Sequence, residues 1–183
     1  MTRIFLIGYM GVGKTTLGRE LAKVLNLGFI DLDLFIQNRY NKSISSIFEE
    51  EGEIRFREIE NNILKEVAEF ENVVVSTGGG VPCFYDNMEI MNKSGLTIYL
   101  KATPELLAER LNLCKDKRPL IKDKDEVEML KFVSESLDKR SIFYNRAKLI
   151  FESDNLIDKH NTDVYVCQIL EKINDYTQIK CSQ

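Results

Sequence analysis

The sequence predicts a three-layer α/β fold, a doubly wound five-stranded parallel sheet between helices, and two observations predict it. Five short apolar runs, at 4–7, 28–31, 73–76, 97–100 and 148–151, alternate with stretches of helical character. Each run is continuous and bounded by polar residues or glycine, the pattern of strands buried on both faces. The second observation is the turn after the first run, where residues 8–15 read Gly-Tyr-Met-Gly-Val-Gly-Lys-Thr, or G-x-x-x-x-G-K-[ST]. Strands alternating with helices require right-handed crossovers, and such sheets hold ligands beyond the carboxyl ends of their strands. The glycine-rich turn lies at one such end.

The first run, Arg3-Ile4-Phe5-Leu6-Ile7, is a buried strand that delivers the chain to this turn. There the glycines let the backbone curl until successive N–H groups point inward, and the next helix offers its positive end to the same anion. Lys14 adds a mobile positive charge. Thr15 adds a hydroxyl suited to a magnesium ion on the outer phosphates of a nucleoside triphosphate. Leu17, Leu21, Ala22, Val24 and Leu25 recur as the apolar face of that helix. The second run closes on Asp31-Leu32-Asp33, where alternation along an extended chain puts both carboxylates on one side of the sheet edge. Residues 34–71 form a long helical insertion, the candidate acceptor-binding part. In it Ser46-Ile47-Phe48-Glu49 is a capping-box pattern, and Ile54, Ile59, Ile63, Leu64 and Val67 form an apolar stripe. Gly78, Gly79 and Gly80 follow the third run. Residues 112–125 are dense in charge and poor in apolar side chains, as a mobile lid reads. A helix over about 124–146 and a C-terminal helix over about 161–176, carrying Val164, Val166, Ile169, Leu170 and Ile173, complete the layers.

A chain of 183 residues suits one well-cored domain, 1–183, with small insertions. With 44% hydrophobic and 30% charged residues and a formal charge of −4, it has no basic excess for coating nucleic acid. Cys83, Cys114, Cys167 and Cys181 lack C-x-x-C spacing, which argues against a zinc site or a disulfide framework and for reduced thiols. The first apolar stretch is cut by Gly8, Gly11 and Gly13 and meets Lys14 too soon for a signal peptide or a membrane span. A cytoplasmic monomer with no membrane or nucleic-acid partner is therefore expected. His160, the only histidine, sits in a polar turn and is given no role.

Several residues point to phosphoryl transfer. One carboxylate of the Asp31/Asp33 pair can hold the water shell of a magnesium ion while the other orients an acceptor hydroxyl and takes its proton. Read alone, Asp33 also fits, less well, the cap of a helix starting near Leu34. Arg55 reads as a solvated ion-pair residue. Arg57 has Glu60 three residues along to fix its guanidinium, leaving a fork of donors suited to a carboxylate, although a surface pair looks the same locally. Three glycines after a central strand clear side chains from a place where something approaches the backbone closely; a ligand is one reading and a flexible turn the other. Arg118, in Arg118-Pro119-Leu120, can neutralise the transferring phosphoryl group when the lid closes, with Arg110 and Arg140 on either side of the lid. Arg140 either points into the acceptor pocket or pairs near Asp138 on the surface.

In order, Gly-Tyr-Met-Gly-Val-Gly-Lys-Thr-Thr, Asp31-Leu32-Asp33, Phe56-Arg57-Glu58-Ile59-Glu60, Thr77-Gly78-Gly79-Gly80, Arg118-Pro119-Leu120 and Arg140 with Tyr144 resemble the shikimate kinases over nearly the whole chain. The resemblance implies a P-loop, nucleoside-monophosphate-kinase-like version of the fold. It also implies transfer of the γ-phosphate of ATP, with Mg2+, to the 3-hydroxyl of shikimate, a step toward chorismate and the aromatic amino acids. Carried over by residue, it gives the ATP phosphates to Gly11, Val12, Gly13, Lys14, Thr15 and Thr16. Magnesium goes to Thr15 directly and to Asp31 through water. Lys14, Asp33 and Arg118 become the catalytic set, with Asp33 the proposed base. Arg57 and Arg140 resemble the grip on the shikimate carboxylate, and Gly78, Gly79 and Gly80 the wall beside the substrate. Arg110 resembles the residue that packs on adenine, and the loop near Ser153 would border the base.

Three rivals are weighed, of which a non-catalytic relative that binds nucleotide as a regulatory or scaffold module is opposed by intact Lys14, Thr15, Asp33 and Arg118. A GTP-dependent switch needs Asn-Lys-x-Asp and Asp-x-x-Gly, but Asn92-Lys93-Ser94-Gly95 lacks the acid and no Asp-x-x-Gly occurs. A kinase of another hydroxy acid, such as gluconate, shares the phosphate loop but does not need Arg57, Arg140 and the glycine triplet together.

Overall fold

The computed structural model describes residues 2–113, 124–153 and 162–181. Strands β1 (Arg3–Ile7), β2 (Gly28–Asp31), β3 (Val73–Ser76), β4 (Leu96–Lys101) and β5 (Leu149–Glu152) run parallel in the order β2-β3-β1-β4-β5. This is the doubly wound sheet that the apolar runs predict. The chain leaves β1 for the edge, returns to β3 beside β1, then crosses to β4 on the other side. Winding therefore reverses around β1, which places the ligand crevice at its carboxyl end. The central strands are fully covered, with Phe5, Leu6, Ile7, Val74 and Val75 all buried. The edge strands are not: β2 is only partly covered, and in β5 Phe151 alone is buried. An edge strand has a neighbour on one side only, so its apolar run is shorter on burial than on sequence.

Helices cover both sides of the sheet. Helix α1 (Lys14–Leu25) packs on β2 and β3 and against α7 (Thr162–Cys181), which reaches β5. Helix α4 (Asn87–Ser94) packs on β4, and α5 (Pro104–Asn112) pairs with α6 (Glu126–Tyr144). Gly13 starts α1 with φ 103°, a left-handed conformation that glycine adopts without strain. Leu17, Leu21 and Ala22 are buried as expected, whereas Val24 lies off the stripe and is exposed. Asp125 and Glu128 form a reciprocal capping box at the start of α6. Helix α7 runs to Cys181, beyond the expected end near 176; Val166 and Ile169 are buried and Val164 is exposed.

The insertion consists of α2 (Leu32–Tyr40) and α3 (Ile44–Val67) and departs from expectation in two places. Ser43, not Ser46, is the cap: its hydroxyl accepts from the Ser46 N–H at 3.0 Å, so Ser46 already lies inside the helix and Glu49 closes no capping box. Gly52, at φ 80° and ψ 171°, breaks α3 in two. The break shifts the helical phase, so Ile54 just beyond it is 79% exposed while Ile59, Ile63, Leu64 and Val67 are buried. Cys83 and Cys167 are free thiols. Among the described residues no helix is long and apolar enough to cross a membrane.

Candidate active site

The phosphate loop joins β1 to α1. Lys14 is nearly buried, and its Nζ donates to the carbonyls of Gly8 and Tyr9 at 2.9 Å each. Gly8 is needed for space: a Cβ there would sit 2.6 Å from the Leu100 carbonyl oxygen. Thr15 Oγ1 donates to Asp31 Oδ2 at 2.7 Å, so the hydroxyl and carboxylate expected near a cation stand together.

Asp31 and Asp33 have different surroundings, because the strand alternation does not continue through both. The extended chain ends at Asp31, whose carboxylate caps α2 by accepting from Leu34 N–H at 3.3 Å. Asp33 therefore lies in the first turn of a helix, and the capping role belongs to Asp31. Asp33 faces the glycine triplet after β3. A Cβ on Gly78 would lie 2.7 Å from Asp33 Oδ1 and 3.2 Å from Glu60 Oε1. On Gly79 it would lie 3.2 Å from Met10 N and 3.7 Å from Arg140 Nη1, and on Gly80 2.7 Å from Arg57 Nη1. None of the three has a positive φ, so what the triplet supplies is room rather than backbone freedom. What approaches it here is protein: the phosphate loop, a carboxylate and two guanidinium groups. The triplet is also fixed to β1, since Thr77 N–H and Oγ1 both donate to the Leu6 carbonyl at 3.1 Å.

The two guanidinium groups are held differently. Arg57 Nη1 donates to Glu60 Oε2 at 2.5 Å, while Nε and Nη2 donate to Glu53 Oε1 at 3.3 and 3.1 Å. Its Cζ lies 4.2 Å from the centre of the Phe84 ring, with Phe56 and Phe48 at 5.3 and 5.7 Å. Glu60 is 2% exposed, and burial pushes its carboxyl up to about 7, against the pull of Arg57 and with the help of Asp33. Arg55, by contrast, pairs with Glu51 and Glu58 at the surface, as expected. Arg140 turns inward, with Cζ 5.3 Å from the centre of the Tyr9 ring and a hydrogen bond to Tyr144. Burial opposes its charge, but the Tyr144 and Tyr9 oxygens hold its pKa above the ordinary arginine value. Buried Tyr144 keeps its proton, because burial pushes the phenol up, and its hydroxyl donates to the Gly79 carbonyl at 2.6 Å.

A phosphate loop thus faces a carboxylate and two fixed guanidinium groups across a glycine wall. The sequence model of the family described as "Shikimate kinase" matches residues 10–174. The chain belongs to the shikimate kinase family. It is 54% identical to a shikimate kinase of Parabacteroides distasonis over 93% of this chain and 100% of that one. It is also similar to the crystal structure of shikimate kinase from Bacteroides thetaiotaomicron, with TM-score 0.88 and 47% identity over 94% of this chain and 98% of that one. The shikimate kinase from Acinetobacter baumannii, solved in complex with shikimate, gives TM-score 0.83 and 32% identity over 96% and 94%. Within this family the chain is an ATP-dependent kinase that transfers phosphate to a hydroxyl of shikimate, which sets the gluconate alternative aside.

Other residues expected in this shikimate kinase site fall as follows. Arg110, on α5, reaches the phosphate loop and donates to the carbonyls of Gly11 and Val12 at 3.4 and 3.3 Å. Helix α5 was not singled out in the sequence, although Thr103-Pro104-Glu105 signals its start: Thr103 caps it and proline occupies its first turn. Ser153 is buried, and both its N–H and its hydroxyl donate to the Lys101 carbonyl at 2.7 Å. Its side chain is committed to the β4–β5 end, and the loop expected near a base follows it. That loop, with His160, lies outside the described residues, as do Arg118 and most of the expected lid. Sequence reasoning missed Phe84, Tyr9 and Glu53. Glu53 was legible as the residue one turn before Arg57; the aromatic partners had no such signal.

Proposed function

We propose that the chain transfers the γ-phosphate of ATP to the 3-hydroxyl of shikimate, giving shikimate 3-phosphate and ADP for chorismate and aromatic amino-acid synthesis in the cytoplasm. It acts as a monomer of one domain, 1–183, with the acceptor insertion at 34–71 and the lid at 112–125. Arg57 and Arg140 grip the acceptor carboxylate, and the ring lies over Gly78, Gly79 and Gly80. The hydroxyl then stands between Asp33 and the phosphate loop. Its oxygen forms a bond to the γ-phosphorus as the bridging bond to the β-phosphate breaks, and its proton passes to Asp33. Gly11, Val12, Gly13, Lys14, Thr15 and Thr16 cradle the phosphates, and Lys14 and Arg118 face the oxygens where negative charge gathers. Arg110 lies against adenine, with the loop after Ser153 at the base edge.

Thr15 and Asp31 supply two hard oxygen donors 2.7 Å apart. A magnesium ion there would take its other ligands from water and phosphate. Mg2+ held there, by Thr15 directly and Asp31 through water, would neutralise charge on the outer phosphates.

The observation that carries this reading is the order along the triplet: Asp33 at Gly78, Arg140 at Gly79, Arg57 at Gly80. It matches a small acid with its hydroxyl at one end and its carboxylate at the other. ADP release measured with shikimate, gluconate and other hydroxy acids tests the acceptor. A crystal soaked with ADP and shikimate tests the residues: a carboxylate on Arg57 and Arg140 is expected, and both arginines turned to bulk water would overturn the assignment.

A further inference from the structure

We propose that Glu53 is a tethered stand-in for the acceptor carboxylate: it occupies one edge of Arg57 until the acceptor arrives, and its charge sets the affinity for that anion. The inference rests on the assignment of Arg57 to the acceptor carboxylate. A single oxygen, Glu53 Oε1, accepts from both Nε and Nη2, the side-on edge by which a guanidinium takes a carboxylate. The opposite hydrogen bond, Nη1 to Glu60, is of another kind. Glu60 is 2% exposed and belongs to the buried frame, whereas the Glu53 side chain is 59% exposed and moves into water at little cost.

Charge balance points the same way. One positive charge on Arg57, 13% exposed, already faces two carboxylates, and Asp33 stands beside Glu60 across Gly78. An anionic acceptor adds a further negative charge to this cluster. Among the described carboxylates, Glu53 alone is both in contact with Arg57 and largely in solvent, so it is the one that yields. Its place follows from the backbone: Gly52 breaks α3, and Glu53 opens the segment that carries Arg57 one turn later.

Glu53→Gln separates the two roles that a carboxylate here can have. The amide oxygen still accepts from Nε and Nη2 and keeps Arg57 in position, while the competing charge is gone. Steady-state rates with shikimate varied at saturating ATP, for the full chain and for E53Q, R57A and the double variant, provide the test. The stand-in role predicts that E53Q lowers the KM for shikimate about threefold with kcat and the KM for ATP unchanged. The gap narrows at high salt. In the R57A background E53Q has no effect. If R57A raises the shikimate KM but E53Q leaves it unchanged or raises it, the stand-in role is wrong and the Arg57 grip stands. If R57A leaves that KM untouched, the grip itself is wrong and the role of Glu53 falls with it.

Discussion

Glu60 makes folding and acceptor binding depend on pH in a direction opposite to that of an ordinary ion-paired carboxylate. Its carboxyl is moved from the usual 4.5 to about 7, chiefly by burial, although Arg57 lies 2.5 Å away. The folded protein thus binds this proton more tightly than the unfolded chain does. The stabilisation is complete below pH 4.5 and is lost as pH rises through 7. Between pH 5 and pH 8 the loss is about 2–3 kcal/mol, from the usual scale of about 1.4 kcal/mol per pH unit. Denaturant unfolding at the two pH values, for the native sequence and for Glu60→Gln, isolates the effect, because all other titrating groups are shared. The native sequence should lose about 2–3 kcal/mol more than the variant. Equal losses would mean that Glu60 ionises like an exposed side chain and that burial does not govern it. An acceptor anion on Arg57 further disfavours ionised Glu60, so the KM for shikimate should rise above pH 7 in the native sequence and stay level in Glu60→Gln.

Gly78→Ala puts a methyl group 2.7 Å from Asp33 Oδ1, and the displaced carboxylate should lower kcat about 10²-fold; an unimpaired variant would show that Asp33 tolerates the shift. Asp33→Asn should lower kcat about 10²-fold or more with little change in the shikimate KM, and undiminished turnover would remove Asp33 from the proton transfer. Tyr144→Phe leaves the Gly79 carbonyl without its donor, which should cost about 1–3 kcal/mol in denaturant unfolding. The same change frees Arg140 and should raise the shikimate KM; if neither quantity moves, the tyrosine hydroxyl supports nothing.

The sheet was legible because its strands are short, apolar and separated by helical stretches, and burial of Phe5 or Val75 needs no knowledge of partners. The phosphate loop was legible because backbone curvature fixes glycine at defined spacing. Asp31 and Asp33 were read as carboxylates on one side of an extended chain, but a helix begins at Leu32, inside Asp-Leu-Asp, so Asp31 meets Thr15 while Asp33 faces Gly78, and sequence does not show where the strand gives way. Ser43 and Ser46 are both good caps, and the choice is made by where α3 packs, which is a tertiary matter. The apolar stripe was read straight across Gly52, so the phase change that exposes Ile54 went unseen. The glycine triplet was identified as a close approach, but its neighbours come from the phosphate loop, α2, α3 and α6, and no local pattern encodes contacts that distant.

The bond from Thr77 to Leu6 has a consequence for how such an enzyme changes. On the proposed placement it rivets the shelf for the donor and the shelf for the acceptor onto adjoining rails of one sheet, about 4.8 Å apart. A descendant can exchange one acid for another by rebuilding α2 and α3 alone and keep its reaction distance. A change in β1 or β3 tilts both shelves together, and no repair in the insertion restores their separation.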